Sequence, residues 1–403
     1  MAKSALFQLS FHEPRRLRLP PQPLSTGATL QDLRAALFDD STSQYYCQRW
    51  WQEIGASYVQ VMTDLAAQGV TFQLSMTDWL MRNLLKQRQK VARSFFKLLR
   101  HPNVEWVTVD PYHSLTFYLD IEAFGRQWAK ARALTRVRLS VDSDVVAAPH
   151  LCLNNEIYWS AAAAGFRVVL GDGAESVLGV RSPGYLHRNG EGPYLCVRNA
   201  PLSLKAAGLL AAAPPHSYNV QFSSIAEGIT DQPGPIAVLG WRVPNVSSGS
   251  SPMDGDGPAL LRQLAESLLD GQISFVRLRD LLDGDGDACR PLPLPTTPAP
   301  AAEFGDISYF LGHPTQQSLF RLMQQSYSIA SLSKNQEIVE MAMELAQWDV
   351  LELVHRLLIS GGACQEPSYL SPTQWNALGR DGVLWALHQT YETFVRVVSD
   401  SLL

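Results

Sequence analysis

The stretch LCLNNEIYWSAAAAGFRVVLGDGAESVLGVRSPGYL, residues 151–186, sets a glutamate where a buried run of chain turns polar. Leu151, Cys152 and Leu153 suit the end of a strand buried on both faces, and Asn154, Asn155 and Glu156 then bring polar groups to its carboxyl end. A short alanine-rich helix, a second buried strand at 166–170 and turns at Gly171, Gly173, Gly179 and Pro183 follow. Parallel α/β barrels keep their chemistry at the carboxyl ends of strands, which makes Glu156 a candidate functional group.

The same alternation extends in both directions. Upstream, a strand at 5–11 stops at His12-Glu13-Pro14, helical spacing runs through 30–68, and a strand at 70–76 precedes a helix at 79–100. The strand at 104–109 ends in Asp110-Pro111-Tyr112-His113, and a helix follows at 120–136. Downstream, strands are expected at 194–198 and 236–239, then the long loop VPNVSSGSSPMDGDGP and a helix at 258–270. Strands alternating with helices predict a parallel sheet, and repeated polar strand ends favour a barrel. The expected organisation is an α/β barrel over 1–287, a proline-rich, structureless linker over 288–305 and a helical region over 306–403.

Composition narrows the function classes. With 46% hydrophobic and 18% charged residues, a net charge of -5 and a pI near 6.0, the 403-residue chain offers no basic field for nucleic acid. The Arg and Lys residues between 82 and 100 alternate with apolar ones at helical spacing, as on a solvated helix face. Cys47, Cys152, Cys196, Cys289 and Cys364 are odd in number and scattered, which argues against disulfides or a zinc motif and for a cytoplasmic location. The opening MAKSALFQLSFHEPRRL lacks the apolar centre of a secretory signal, and no membrane span is expected.

Three strand ends supply titratable groups, His12, His113 and Glu156, which a barrel would bring to one face. Singly, a histidine after a strand is more often a structural hydrogen bonder and a lone glutamate more often a surface charge; their repetition at three strand ends brings a functional site level with that reading. Trp159 and Trp241 are candidates to stack on a pyranose. The run Asp283, Asp285, Asp287 begins like a calcium loop, but Ala288 and Leu294 stand where glycine and glutamate are needed. GDGAES at 171–176 lacks the lysine of a phosphate loop, and no G-x-S-x-G elbow is present. No metal or cofactor is expected.

These residues resemble glycoside hydrolase family 57 of the α-amylase type. FHEP at 11–14 resembles its His-Gln-Pro strand end with Glu13 for glutamine, and DPYHSL at 110–115 resembles its second motif. LNNEI at 153–157 resembles Arg-Asn-Thr-Glu-Leu, whose glutamate is the nucleophile, and the following GFRVVLGDGAESVLGVRSPGYL is similar to the family over its length. LCVRNAPLS at 195–203 and DISYFLG at 306–312 extend the likeness. The resemblance implies an incomplete, seven-stranded parallel barrel followed by a helical region. It also implies retaining action on α-glucan with Glu156 as nucleophile and His12, Glu13 and His113 near the sugar.

The departures from the family's pattern imply that the resemblance is to a divergent member. Gly240 in AVLGWRVP, 237–244, stands where the family carries its acid aspartate, and Arg242 stands for a glutamate. The fifth motif is read at SYSIASL, 326–332, where Tyr327 and Ser328 replace aspartate and histidine, while Leu204 and Lys205 replace two acidic residues. Loss of general acid catalysis costs on the order of 10² to 10⁴ in rate. Arg242 is expected to pair with Glu156, and Asp254 or Asp256 are the loop residues that could replace the acid. Two readings follow: an α-glucan hydrolase or glucanotransferase with weak or lost hydrolysis, and a non-catalytic protein that binds glucan or a protein partner through the old cleft.

Overall fold

Strand and helix alternate through most of the computed structural model, which describes residues 3–25, 27–87, 90–211, 218–245, 257–283, 289–295, 297, 306–359 and 369–402. Ten strands, β1 (Ser4–Phe11), β2 (Phe72–Met76), β3 (Val104–Val109), β4 (Val145–Ala147), β5 (Val168–Asp172), β6 (His187–Arg188), β7 (Tyr194–Arg198), β8 (Ile236–Arg242), β9 (Ser274–Phe275) and β10 (Arg290–Pro291), form one sheet. Its order is β10-β6-β7-β5-β4-β3-β2-β1-β8, with β9 also on β1. Every pairing is parallel except β6 with β7.

Seven of these strands curl into an incomplete barrel, as expected. Its two ends meet beyond the paired strands, where Asn199 N–H donates to Val238 O at 2.8 Å and the Arg198 guanidinium donates to Gly240 O at 2.8 Å.

The period of two in each strand sorts side chains between two cores. Leu6, Val107, Val145, Val168, Leu170, Cys196 and Val238 fill the barrel interior, while Phe7, Leu9, Phe72, Leu74 and Leu239 face outward against surrounding helices. Higher in the barrel the inward positions turn polar: Gln8 and Ser10 on β1, Ser75 on β2, Arg198 on β7, Gly240 and Arg242 on β8. The register, Gln8 opposite Gly240 and Ser10 opposite Arg242, makes this one polar layer above an apolar floor.

Two expectations need correction. The strand expected at 151–153 is not formed: β4 ends at Ala147, and Pro149–Leu151 makes one 3₁₀ turn in which His150 and Leu151 hold φ of 52° and 53°. The helix Asn155–Ala163 starts immediately after, its N-cap Asn154 accepting from Ile157 N–H. Asn154 and Glu156 are therefore N-terminal helix signals, a cap and a first-turn acid, rather than a strand end. The linker 288–305 is expected to be structureless, yet Arg290–Pro291 pairs with β6, and Leu292 and Leu294 are buried.

Helices Ser308–Leu311, Pro314–Leu332, Gln336–Leu345, Trp348–Ile359 and Pro372–Leu402, the last interrupted at Gly379, make up the C-terminal region. They share one apolar core with the outward faces of β4, β5 and β7. Leu115 N–H donates to Ala346 O at 2.8 Å and Trp348 Nε1 to Ser114 O at 3.0 Å, so the helical region is bolted to the loop after β3. No helix among the described residues is long and apolar enough to cross a membrane.

Candidate functional site

His12 follows the last residue of β1 and His113 lies in the turn after β3, with φ of 52°. Their rings lie with centroids 4.0 Å apart and planes tilted by 34°, and a third group holds them together. Asp349, at the start of the helix Trp348–Ile359, accepts from His12 Nε2 at 2.9 and 3.0 Å and pairs with His113 Nδ1 at 3.1 Å. All three are buried. Burial pushes the His12 imidazole down to about 3, so it is neutral at physiological pH, and its other nitrogen pairs with Thr77 Oγ1 at 3.1 Å. Burial alone would raise the Asp349 carboxyl, but the two imidazoles outweigh it and hold that group well below the usual range.

Beside this cluster, at the carboxyl ends of the strands, lies a cavity of about 260 Å³ lined by the polar layer together with Asp110, His113, His150 and Trp241. Four of its buried polar atoms have no partner in the protein: Gln8 Oε1, Asp110 Oδ1, His150 Nε2 and Trp241 Nε1. Native proteins seldom leave such atoms unpaired without water or ligand. Burial raises the Asp110 carboxyl to about 6, against the opposing pull of the Ser114 backbone N–H that donates to its Oδ2 at 2.7 Å. Burial also holds His150 well below its ordinary value. Arg198 is committed to Asp172, its register partner on the neighbouring strand β5.

The structure brings His12 and His113 together and leaves Glu156 apart. Glu156 is exposed on the helix Asn155–Ala163 and borders an outer groove with Glu122, Arg126 and Ser160, not the strand-end cavity. Trp159 is on the same outer helix, 44% exposed, whereas Trp241 is buried edge-on to Phe7 and only borders the cavity. Glu13 is fully buried in an ion pair with Arg16 at 2.7 Å, a partnership within the fold.

The expected pairing of Arg242 with Glu156 is not found; Arg242 lies 3.8 Å from both Asp349 and Glu352. Residues 326–332 lie in the helix Pro314–Leu332, where Tyr327 donates to Asp120. The acidic residue that meets the histidines is Asp349, which sequence reasoning missed because nothing local sets it apart from other helix-start acids. His150 was missed for a similar reason: its role comes from the 3₁₀ turn that points it inward. Asp254, Asp256, Asp285, Asp287 and Cys364 lie outside the described residues.

Residues 29–230, half of the chain, match Glycosyl hydrolase family 57. A curated protein of Methanocaldococcus jannaschii named "Putative alpha-amylase" is 26% identical over 163 residues, 40% of this chain and 35% of that one. The chain thus spans about a third of the length of that relative. The fold is similar to a family 57 branching enzyme from Thermococcus kodakaraensis, with TM-score 0.65 and 10% identity over 98% of this chain and 90% of that one. It is also similar to a 4-alpha-glucanotransferase from Thermococcus litoralis, with TM-score 0.61 and 12% identity over 87% and 56% of the two chains. With a barrel and helical region of the same architecture and a family match over half its length, the chain belongs to glycosyl hydrolase family 57.

Proposed function

We propose that this chain binds α-glucan or an oligosaccharide in the strand-end cavity and hydrolyses it weakly or not at all. The carrying observation is the cavity wall, which offers unpaired acceptors on Gln8 and Asp110 and an unpaired donor on Trp241, but one carboxyl, Asp110, among the described lining residues. Sugar hydroxyls donate and accept at once, and such a mixed wall suits them better than it suits an anion. The names of two proteins of similar fold, a family 57 branching enzyme and a 4-alpha-glucanotransferase, support the same substrate class.

Retaining hydrolysis needs two carboxyl groups roughly 5 to 5.5 Å apart, one to attack and one to protonate. Asp349 is occupied by two imidazoles, Asp172 by Arg198, and Gly240 carries no side chain. Glu156 faces an outer groove, so the proposal gives it no chemical role.

Calorimetric titration with maltotetraose, alongside assays on starch and on an aryl α-glucoside, tests the reading. We expect saturable binding that Asp110→Ala weakens and Glu156→Gln leaves unchanged, with no appreciable starch turnover. Starch turnover at an ordinary enzymatic rate that Glu156→Gln abolishes would instead establish a hydrolase with Glu156 as nucleophile. Absence of sugar binding in the wild type would sink the cavity as a glucan site.

A further inference from the structure

We infer that His12, His113 and Asp349 form a binding site for a divalent transition-metal ion of the zinc class. They are the one group of three histidine, cysteine or acidic residues among the described residues whose donor atoms all lie within 4.8 Å of one another, and all three are buried. Two imidazoles and a carboxylate form a donor set that such ions favour. No sequence motif announces it, because Asp349 is 337 residues from His12 and 236 from His113.

The spacing fits an ion. Ligand atoms about 2.0 to 2.2 Å from zinc lie about 2.9 to 3.5 Å apart, depending on coordination angle. Here one carboxylate oxygen, Asp349 Oδ2, lies 3.0 Å from His12 Nε2 and 3.1 Å from His113 Nδ1. A metal bound here would replace both hydrogen bonds, the two imidazoles closing on it from a separation of at most 4.8 Å.

Thr77 supplies the second argument. Without metal, His12 Nε2–H donates to Asp349, so Nδ1 must accept from the Thr77 hydroxyl, 3.1 Å away. With metal on Nε2, the ring proton moves to Nδ1 and the same hydroxyl accepts it. A hydroxyl serves either tautomer, and an outer partner that orients a ligating imidazole is a regular part of metal sites. Three protein donors also leave at least one coordination position for water or a ligand oxygen.

Arg242 is the group that opposes an ion. Its guanidinium approaches Asp349 to 3.8 Å, beyond hydrogen-bonding distance, and is shared with Glu352 at the same distance. The positive charge beside Asp349 lowers affinity for a cation. Removing that charge is consequently a signed test.

The experiment strips the full chain with EDTA, titrates it with zinc chloride by calorimetry, and measures bound metal after dialysis by mass spectrometry. The expected result is one zinc per chain and a raised melting temperature. Asp349→Asn and His113→Gln should each weaken binding at least about tenfold, Thr77→Val about tenfold, and Arg242→Met should tighten it. If the ligand variants fail to fold, cobalt(II) added to the wild type gives a second readout: a visible band of histidine-ligated cobalt supports the site. Zinc binding unchanged in Asp349→Asn, no stoichiometric zinc in the wild type, or no cobalt band overturns the inference. Sugar binding is measured separately, so loss of the metal site leaves the glucan reading standing, and the reverse.

Discussion

Asp110 shows how one side chain carries both a cost and a use. Its Oδ1 is buried without a partner at the cavity wall, and burial lifts its carboxyl to about 6 from 3.8. Between those values the native state holds the proton more often than the unfolded chain does, so stability falls as pH rises through that window and is level above it. Asp110→Asn keeps an acceptor for the Ser114 N–H and never ionises. The variant should be more stable than wild type at pH 7.5 by about 1 to 3 kcal/mol, at about 1.4 kcal/mol per pKa unit, with the gap closing near pH 4. Urea unfolding of both proteins at the two pH values checks this, and a constant gap would refute it. At this scale the sequence was partly legible. His12 and His113 announced themselves by following strands, whereas Glu156 misled because a helix cap followed by a first-turn acid resembles a polar strand end. His150 and Asp349 gave no local sign.

At the level of elements, β8 brings Gly240 and Arg242 to the cavity, with Trp241 at its border, and the turn before it sets its register. Gly234 holds φ of 102°, and a Cβ there would stand 2.2 Å from Gly184 O. The same turn places Pro235 O to accept from Ser4 N–H at 2.9 Å, aligning β8 with β1. Gly234→Ala should therefore cost at least about 2 kcal/mol from the positive φ and the backbone clash, seen as a lower urea midpoint with an unchanged slope. A variant as stable as wild type would show that the turn has room to relax. Most strands were legible from their apolar runs, including β5 and β8, because a strand buried on both faces leaves a continuous apolar signature. β4 was misplaced because Leu151-Cys152-Leu153 is equally apolar, and only Pro149 hinted that the strand had already ended.

For the whole molecule, the helical region completes the site. Trp348 packs against Phe117, His150 and Phe310, Asp349 clamps the two histidines, and Tyr391 donates to Leu345 O at 2.8 Å. Removing residues 306–403 would expose the apolar face that they share with β4, β5 and β7 and leave His12 without its acceptor. The shortened chain should lose its cooperative thermal transition and its near-ultraviolet circular dichroism, and elute as aggregate; a soluble, cooperatively melting fragment would show that the barrel stands alone. The amino-acid sequence by itself determined the alternation of strand and helix, the barrel class and the two histidines, because hydrophobic periodicity and strand-ending prolines act over a few neighbouring residues. Tertiary structure alone decided that Asp349 meets those histidines, that Glu156 faces outward and that Gln8, Asp110, His150 and Trp241 border one cavity. Those contacts join segments up to 337 residues apart, and their partners are chosen by the curl of the sheet and the packing of the helical region, which no local pattern encodes.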